Sequence, residues 1–462
     1  MKTEPNHLRR LMLMWTVAAS AFAPAALAQG SSPADATGPV AKTGQSNQVD
    51  EIVVTANKRE ESLSRVPISI AAYTAETMDR QGVRSAEDIA RLTPGVSFRR
   101  DTFGSGSGTS ISIRGISSSS GAATTGIYID DTAIQIRSNA QTAFGSALPE
   151  IFDLDRVEIL RGPQGTLFGA GAQGGVVRFI TPTPSLTKQS IYARTEAAVT
   201  DNGAPSYEAG VAVGAPLVED KIGVRLSGYY RHSGGFVDRK PFNTATPNST
   251  AFYKDVNDVN TLALRAAVLV EPAPGIKFLP SVVYQRQTVA DSGAFWDSLS
   301  NPGNGQFISG YQLAQKGVDR FVIPSLKVSI DLGSVELTSV SSYFDRRGSA
   351  IQDYTNVNTA FIFEEPTPFI PGWVAPGHAT AKQGVFSQEI RLGSTDPQAK
   401  IRWTVGAFYS NGTQNESFHI EDDTVARLLP ITAIFGIPLT EGRYLFVAGN
   451  DSREKQYALF GQ

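Results

Sequence analysis

Four aspartates, Asp130, Asp131, Asp153 and Asp155, stand close together in the sequence. Clustered carboxylates are what calcium takes as ligands, but the spacing is not that of a helix–loop–helix calcium site. Short acidic side chains more commonly shape turns or cap backbone amides. The glycine-rich run Gly162 to Gly175 suggests a phosphate cradle, yet it lacks the Gly-Lys-Ser/Thr ending and the strand–loop–helix context. Histidine-based catalysis would need converging imidazoles, and beyond the N-terminal leader there are only His232, His378 and His419, scattered over expected loops and strand ends. Cysteine is absent, which excludes thiol catalysis and thiolate metal sites. No catalytic residue, metal ligand or cofactor site is therefore expected. Hydrolysis by paired carboxylates is the one enzymatic option left open.

A different chemistry, main-chain pairing, is offered by Asp50-Glu51-Ile52-Val53-Val54-Thr55-Ala56. This β-prone strip follows Gln29 to Val49, a stretch with no apolar periodicity. It can add a strand to the sheet edge of another protein, or it can be the first strand of the domain that follows.

Residues 1–28 have the order of a secretory leader. Lys2, Arg9 and Arg10 are basic, Leu11 to Ala23 is apolar, and Ala26-Leu27-Ala28 offers a cleavage pattern. The apolar run is too short for a spanning helix, which needs about 20 residues. A net charge of −3 gives no reason to expect a nucleic-acid partner. Charged residues make up 18% of the chain, below the usual quarter, and glycine is abundant, which suits a β protein facing lipid.

Residues 57–184 mix helix and strand signals. Ser69 to Tyr73 reads as a strand, and Thr74 can cap a helix. Ser85 with Asp88 makes an imperfect capping box for a second helix that stops at Thr93-Pro94-Gly95. Strand-like pieces follow at Ile111–Gly115, Gly126–Asp130 and Val157–Arg161, giving a compact α+β domain. Leu92-Thr93-Pro94-Gly95-Val96, Ile113-Arg114-Gly115, Tyr128-Ile129-Asp130-Asp131 and the run Arg156 to Gly169 appear in order. Gly174-Gly175-Val176-Val177 and Ile180-Thr181 come directly after. This succession resembles the plug domain of TonB-dependent outer-membrane receptors, and residues 50–56 resemble their TonB box. The resemblance implies that Arg114 and Arg161 pair with carboxylates on an inner barrel wall.

From residue 185 alternation replaces the helical period. Ile401, Trp403, Val405, Ala407 and Tyr409 share one face, and Leu262, Leu264, Ala266, Val268 and Val270 share another. Such segments fit transmembrane β-strands, although a soluble sandwich alternates as well. Connection lengths separate the two. Ten strands are expected, centred near residues 194, 210, 226, 265, 281, 326, 340, 387, 406 and 457. Tight turns at Ala215–Asp220, Glu271–Gly275, Asp331–Ser334 and Ser394–Ala399 alternate with long connections at Gly234–Val256, Thr288–Gly317, Gly348–Ala381 and Gly412–Ser452. All long loops then lie at one end, as in outer-membrane barrels. About 22 strands surround a plug in such transporters, so ten imply a truncated antiparallel barrel. On β-parity Glu389 faces the lumen and is the expected partner of Arg114 or Arg161.

The expected organisation is a leader (1–28), a linker bearing the box (29–56), a plug (57–184) and a partial barrel (185–462). By family resemblance the function is active transport of a scarce ligand across the Gram-negative outer membrane, with no enzymatic step. TonB and its inner-membrane motor, outer-membrane lipid and a small-molecule or oligosaccharide ligand are the implied partners. Ferric siderophores, haem, cobalamin and oligosaccharides all fit; iron chelates come first on family frequency. Arg99, Arg100 and Phe103 are candidate ligand contacts at the plug apex, and Phe295, Trp296, Tyr311 and Trp373 candidate loop contacts. A passive porin or adhesin barrel, or a secreted all-β hydrolase, is the alternative.

Overall fold

The computed structural model describes residues 52–101, 108–117, 121–134, 144–169, 171–247, 249–396, 398–428 and 444–462. Asp50, Glu51 and Phe103 lie outside these residues. The N-terminal part begins with a short antiparallel pair, β1 (Val53–Val54) and β2 (Glu61–Ser62). β3 (Ile70–Thr74) leads into α1 (Ala75–Arg80), whose start Thr74 caps by accepting from the Thr77 amide. α2 (Ala86–Leu92) begins with a true capping box between Ser85 and Asp88. The β4 (Val96–Asp101) and β5 (Gly108–Ile113) hairpin follows, then β6 (Thr125–Ile129), β7 (Thr132–Ala133), β8 (Arg156–Arg161), α3 (Gly165–Phe168) and β9 (Gly175–Ile180). A five-stranded sheet in the order β3-β8-β9-β6-β7 is mixed, because β6 and β9 run parallel. Its β6, β8 and β9 strands are rich in Ile, Val and Leu and almost fully buried, as strands covered on both faces are.

Ten long strands make the second part: β10 (Ser190–Ala198), β11 (Ser206–Val218), β12 (Ile222–Ser233), then, after the short β13 (Val237–Arg239), β14 (Val259–Ala273) and β15 (Ile276–Val289). After β16 (Phe307–Ser309) come β17 (Gly317–Asp331), β18 (Val335–Asp353), α4 (Thr355–Phe363), β19 (Pro376–Ser394), β20 (Thr404–Glu421), α5 (Asp423–Leu428) and β21 (Tyr444–Gly461). The ten pair antiparallel with their chain neighbours from β10 to β21. The ten expected strands appear, and the described connections between them alternate short and long as expected. Several strands are longer than expected at their long-loop ends: β18 and β19 span 19 residues each, where about 9–11 cross a bilayer. They therefore extend well beyond any lipid. No helix among the described residues is long and apolar enough to cross a membrane.

Alternation sorts each strand into an inner and an outer face. On β19, Phe386, Ile390 and Leu392 are exposed outward while Glu389 and Arg391 are buried inward. The inner face carries the first part of the chain. Phe321, Ile323 and Phe344 of the wall join one core with Ile113, Ile159 and Phe179. Phe152 stacks on Tyr229 of β12 at 4.9 Å between ring centres, and a Cβ on Gly210 would sit 2.5 Å from that Phe152 ring, so the wall needs glycine there.

The outer face has two levels. Tyr343, Phe386, Tyr409 and Tyr457 form an aromatic band, as girdles do at a membrane interface. Just toward the long loops, Arg286, Arg320, Arg347 and Lys382 are direct register partners across β15, β17, β18 and β19. All four are exposed.

Replacing Ile390 by Lys should destabilise the lipid-inserted sheet by up to about 4 kcal/mol, the cost of a cation on the lipid face near mid-bilayer. The urea midpoint of refolding into lipid vesicles measures this. An unchanged midpoint would place Ile390 away from lipid.

Candidate functional site

The short-turn end of the strands meets the strip around residues 52–58, and a chain of buried charges joins them. Glu158 on β8 is fully buried. Arg156 Nε lies 2.8 Å from its Oε1, and Arg178 on β9 donates to its Oε2 at 2.8 Å. The Thr55 amide donates to Glu158 Oε1 at 2.8 Å. Arg178 in turn donates to the Thr55 carbonyl at 2.8 Å and to its hydroxyl at 2.6 Å. Both main-chain polar groups of Thr55 are thus satisfied by one ion pair. On either side, Val54 and Ala56 are buried against Leu160, Phe168 and Val176.

Of the two readings of the strip, the first strand of the following domain is the one this structure shows. Val53–Val54 pairs with Glu61–Ser62 of the same chain, and Val54 and Ala56 have almost no exposed surface. A two-residue strand has little stability alone; it holds because the Glu158–Arg178 pair caps the next residue, a partner 103 positions away. Ile52 to Ala56 is in this structure part of the domain that follows it.

The charge chain continues to the wall. Lys58 Nζ lies 3.1 Å from Glu389 Oε2 and 3.7 Å from Asp131 Oδ1. Arg391 Nη1 donates to Glu389 Oε1 at 2.6 Å, and Arg391 Nη2 lies 3.6 Å from Asp131 Oδ2. Asp131 also has Arg178 at 3.4 Å and Lys327 of β17 at 3.7 Å. Phe168 lies beneath Lys58, with Nζ 4.9 Å from the ring centre. Beside it, Glu61 receives Arg59 and the wall residue Arg402 at 2.8 and 2.9 Å.

Burial raises the affinity of Glu158 for a proton, but Arg178 and Arg156 outweigh it and hold the carboxyl below its ordinary value. Burial acts likewise on Asp131, and Arg391, Lys327, Lys58 and Arg178 hold it well below the usual range. Burial also lowers Lys58, opposed by Glu389 and Asp131.

Glu389 faces inward and meets a cation, but the partner is Lys58 rather than Arg114 or Arg161. Among the described residues neither arginine forms an ion pair. Arg161 donates to the Pro94 carbonyl at 3.1 Å. Arg114 has left-handed backbone (φ 56°), and its guanidinium lies over Gly162, where a Cβ would be 2.9 Å from Nη1. Both arginines serve loop packing within the first domain. Of the aspartates, Asp130 is a turn residue (φ 52°) that accepts from the Thr181 amide at 2.8 Å, and Asp153 pairs with Arg225 and Arg265 of the wall.

At the opposite, long-loop end lies a cavity of about 450 Å³, bounded by Phe98, Arg91, Glu150, Arg231, Asp291 and Asp319 among others. Arg99 is exposed on β4 but does not line it; alternation gives that place to Phe98. Arg100 is also on β4. The long connections have cores of their own. Trp373 is 1% exposed, packs edge-on to Phe363 and Phe369, and donates to Asp422 at 3.0 Å. It is unavailable to a ligand, contrary to expectation. Trp296 packs on Tyr311, and Phe295 packs on Phe307 while keeping 37% of its surface exposed.

A family model described as TonB-dependent Receptor Plug Domain matches residues 62–176. The pesticin receptor of Yersinia pestis is 34% identical over 155 residues, 32% of this chain and 21% of that protein. The solved ferric yersiniabactin uptake receptor of Yersinia pestis superposes with a TM-score of 0.61 at 15% identity, over 85% of this chain and 61% of that one. The ferripyoverdine receptor of the Pseudomonas aeruginosa outer membrane, solved with ferripyoverdine bound, gives a TM-score of 0.62 at 14% identity, over 88% and 51%. The chain thus spans about a fifth of that curated relative and between half and two thirds of those solved structures.

Glu158→Gln should release Thr55, because one neutral amide cannot hold both Arg178 and the Thr55 amide. We expect hydrogen exchange at the Thr55 amide to accelerate at least about tenfold, consistent with loss of a charge-assisted bond of roughly 1.5–3 kcal/mol; unaltered protection would mean the strip is held by its apolar side chains alone. A second expectation concerns acid. Because the folded-state affinities of Glu158 and Asp131 for protons are depressed, their stabilisation is complete above the ordinary carboxylate range near pH 4. It is lost as pH falls through the lower folded values. Exchange protection of residues 53–56 should hold from pH 7 to about 5 and collapse below about 4.

Proposed function

Because this chain carries the plug domain and the barrel-type sheet of a TonB-dependent receptor, a protein of the Gram-negative outer membrane, we propose that it takes up a scarce ligand at the expense of TonB-delivered energy. The observation that carries this reading is the placement of two features at opposite ends of one domain. The described part of the strip, residues 52–56, lies by the short turns, which face the periplasm in such barrels. The mixed-charge cavity opens among the long extracellular connections. A ligand seated in that cavity touches the same plug whose β8 and β9 hold Thr55.

Residues 50–56 are the segment that TonB engages. Its partner mode is addition of a strand to a sheet edge, and that requires breaking the pairing of β1 with β2 and the Thr55 bonds to Glu158 and Arg178. Pulling on the strip then loads the Lys58–Glu389–Arg391–Asp131 network, which ties it to the wall. The bound chemistry is an iron chelate in the first instance, since the solved relatives named above are receptors for ferric yersiniabactin and ferripyoverdine. Those relatives are receptors rather than enzymes, and uptake here needs no covalent step.

A passive barrel would have no use for a strip that must be pulled. Deleting residues 50–56 from the receptor should abolish growth on the cognate iron chelate while leaving binding of that chelate to whole cells intact. Continued uptake in the deletion strain, or uptake insensitive to collapse of the inner-membrane proton gradient, would favour the passive reading.

A further inference from the structure

His378 is the third residue of β19, and His419 the third from the end of β20; they are direct register partners. Of four histidines in the sequence, three follow the leader, so two of the three meet here. Their rings stack with centres 5.0 Å apart and 24° between planes. Two residues beyond His419, on the same face, Glu421 brings Oε1 to 3.7 Å from His419 Nε2. One ligand atom from each of the three lies within 4.8 Å of the others. Among the described residues this is the one such trio.

We propose that His378, His419 and Glu421 bind a divalent transition metal, with Zn²⁺ the best-fitting ion. Two imidazole nitrogens and one carboxylate oxygen make a three-ligand set that leaves a fourth tetrahedral position for water. Ligand atoms around such an ion stand about 3.4 Å apart for bonds of about 2.0–2.1 Å. Atoms already within 4.8 Å reach that spacing by side-chain rotation, while paired strands fix the backbone. Nitrogen and carboxylate donors favour zinc, copper or nickel over magnesium or calcium.

Position gives the site a role. By parity all three side chains point outward, opposite to Phe418 and Ile420, which are buried inward. They lie toward the long loops from Lys382 and so stand clear of lipid. The next residue, Asp422, is fully buried and accepts from Trp373 and from Asn358 of α4. A metal bridging the ends of β19 and β20 fixes the strand end from which Asp422 anchors the connection 354–375. The site is thus a cross-strand clip at the extracellular rim, separate from the ligand cavity.

The protein purified in detergent is titrated with Zn²⁺ by calorimetry. We expect one saturable site, weakened at least about tenfold by His378→Gln and by His419→Gln, since losing a ligand costs no less than losing its supporting partner. Glu421→Gln should weaken it too, and His232→Gln should leave it unchanged. Because the three side chains face outward above the apolar band, these variants leave the core packing in place, which the native mobility on unheated gels verifies. Co²⁺ substitution should give a visible absorption band that disappears in both histidine variants. Absence of saturable Zn²⁺ binding in the native protein, or binding that survives both histidine substitutions, would overturn the assignment.

Discussion

Everything at the short-turn end depends on burying charge without isolating it. Glu158, Arg178, Asp131, Lys58, Glu389 and Arg391 are all largely removed from water. Each alone would carry a desolvation penalty of several kcal/mol, and removing one partner from a buried pair typically costs about 3–5 kcal/mol. The network is stable only when all its members are present, and those members come from three places: the strip and its flank, the plug sheet and the wall. A force applied at Thr55 therefore acts on a cooperative unit. The same arrangement explains why so short a strand as Val53–Val54 is ordered at all.

The wall was legible in the sequence because its signals are local. Alternation assigned Phe386 and Ile390 to one face and Glu389 to the other, and the lengths of the connections set the topology. The capping box at Ser85 was legible for the same reason, involving residues three apart. For the strip, the sequence left two readings open, and which one holds is decided by Glu158 and Arg178, more than a hundred positions on. Likewise the direction of Glu389 followed from parity, but its partner did not: Lys58 lies 331 residues away, and nothing in its neighbourhood marks it out from Arg114 or Arg161. The two histidines looked scattered because only strand register brings them opposite one another. Trp373 looked like a ligand contact because long connections are usually solvated; here a buried Asp422 gives its indole a partner.

The long-loop end is organised by a different principle. Its connections fold on their own aromatic clusters, Phe236 with Phe307 and Phe363 with Trp373, and strands as long as 19 residues carry them away from the membrane. Polar wall residues then reach inward to hold the plug. Arg346 donates to the Gly145 carbonyl at 2.7 Å while paired with Asp319, and Gln285 bonds both Leu148 and Glu150. The cavity lies among these contacts, so a molecule entering it meets side chains already committed to the plug.

The row of Arg286, Arg320, Arg347 and Lys382 bears on where the protein rides in the bilayer. Sinking the sheet by one two-residue step, roughly 6.6 Å, would carry four cations together toward hydrocarbon. Each costs little at the interface but about 2–4 kcal/mol by the midplane. Rising by the same step would lift the tyrosine band out of the headgroups. Charges and rings act as opposed stops, and together they limit how far the sheet can shift along the bilayer normal.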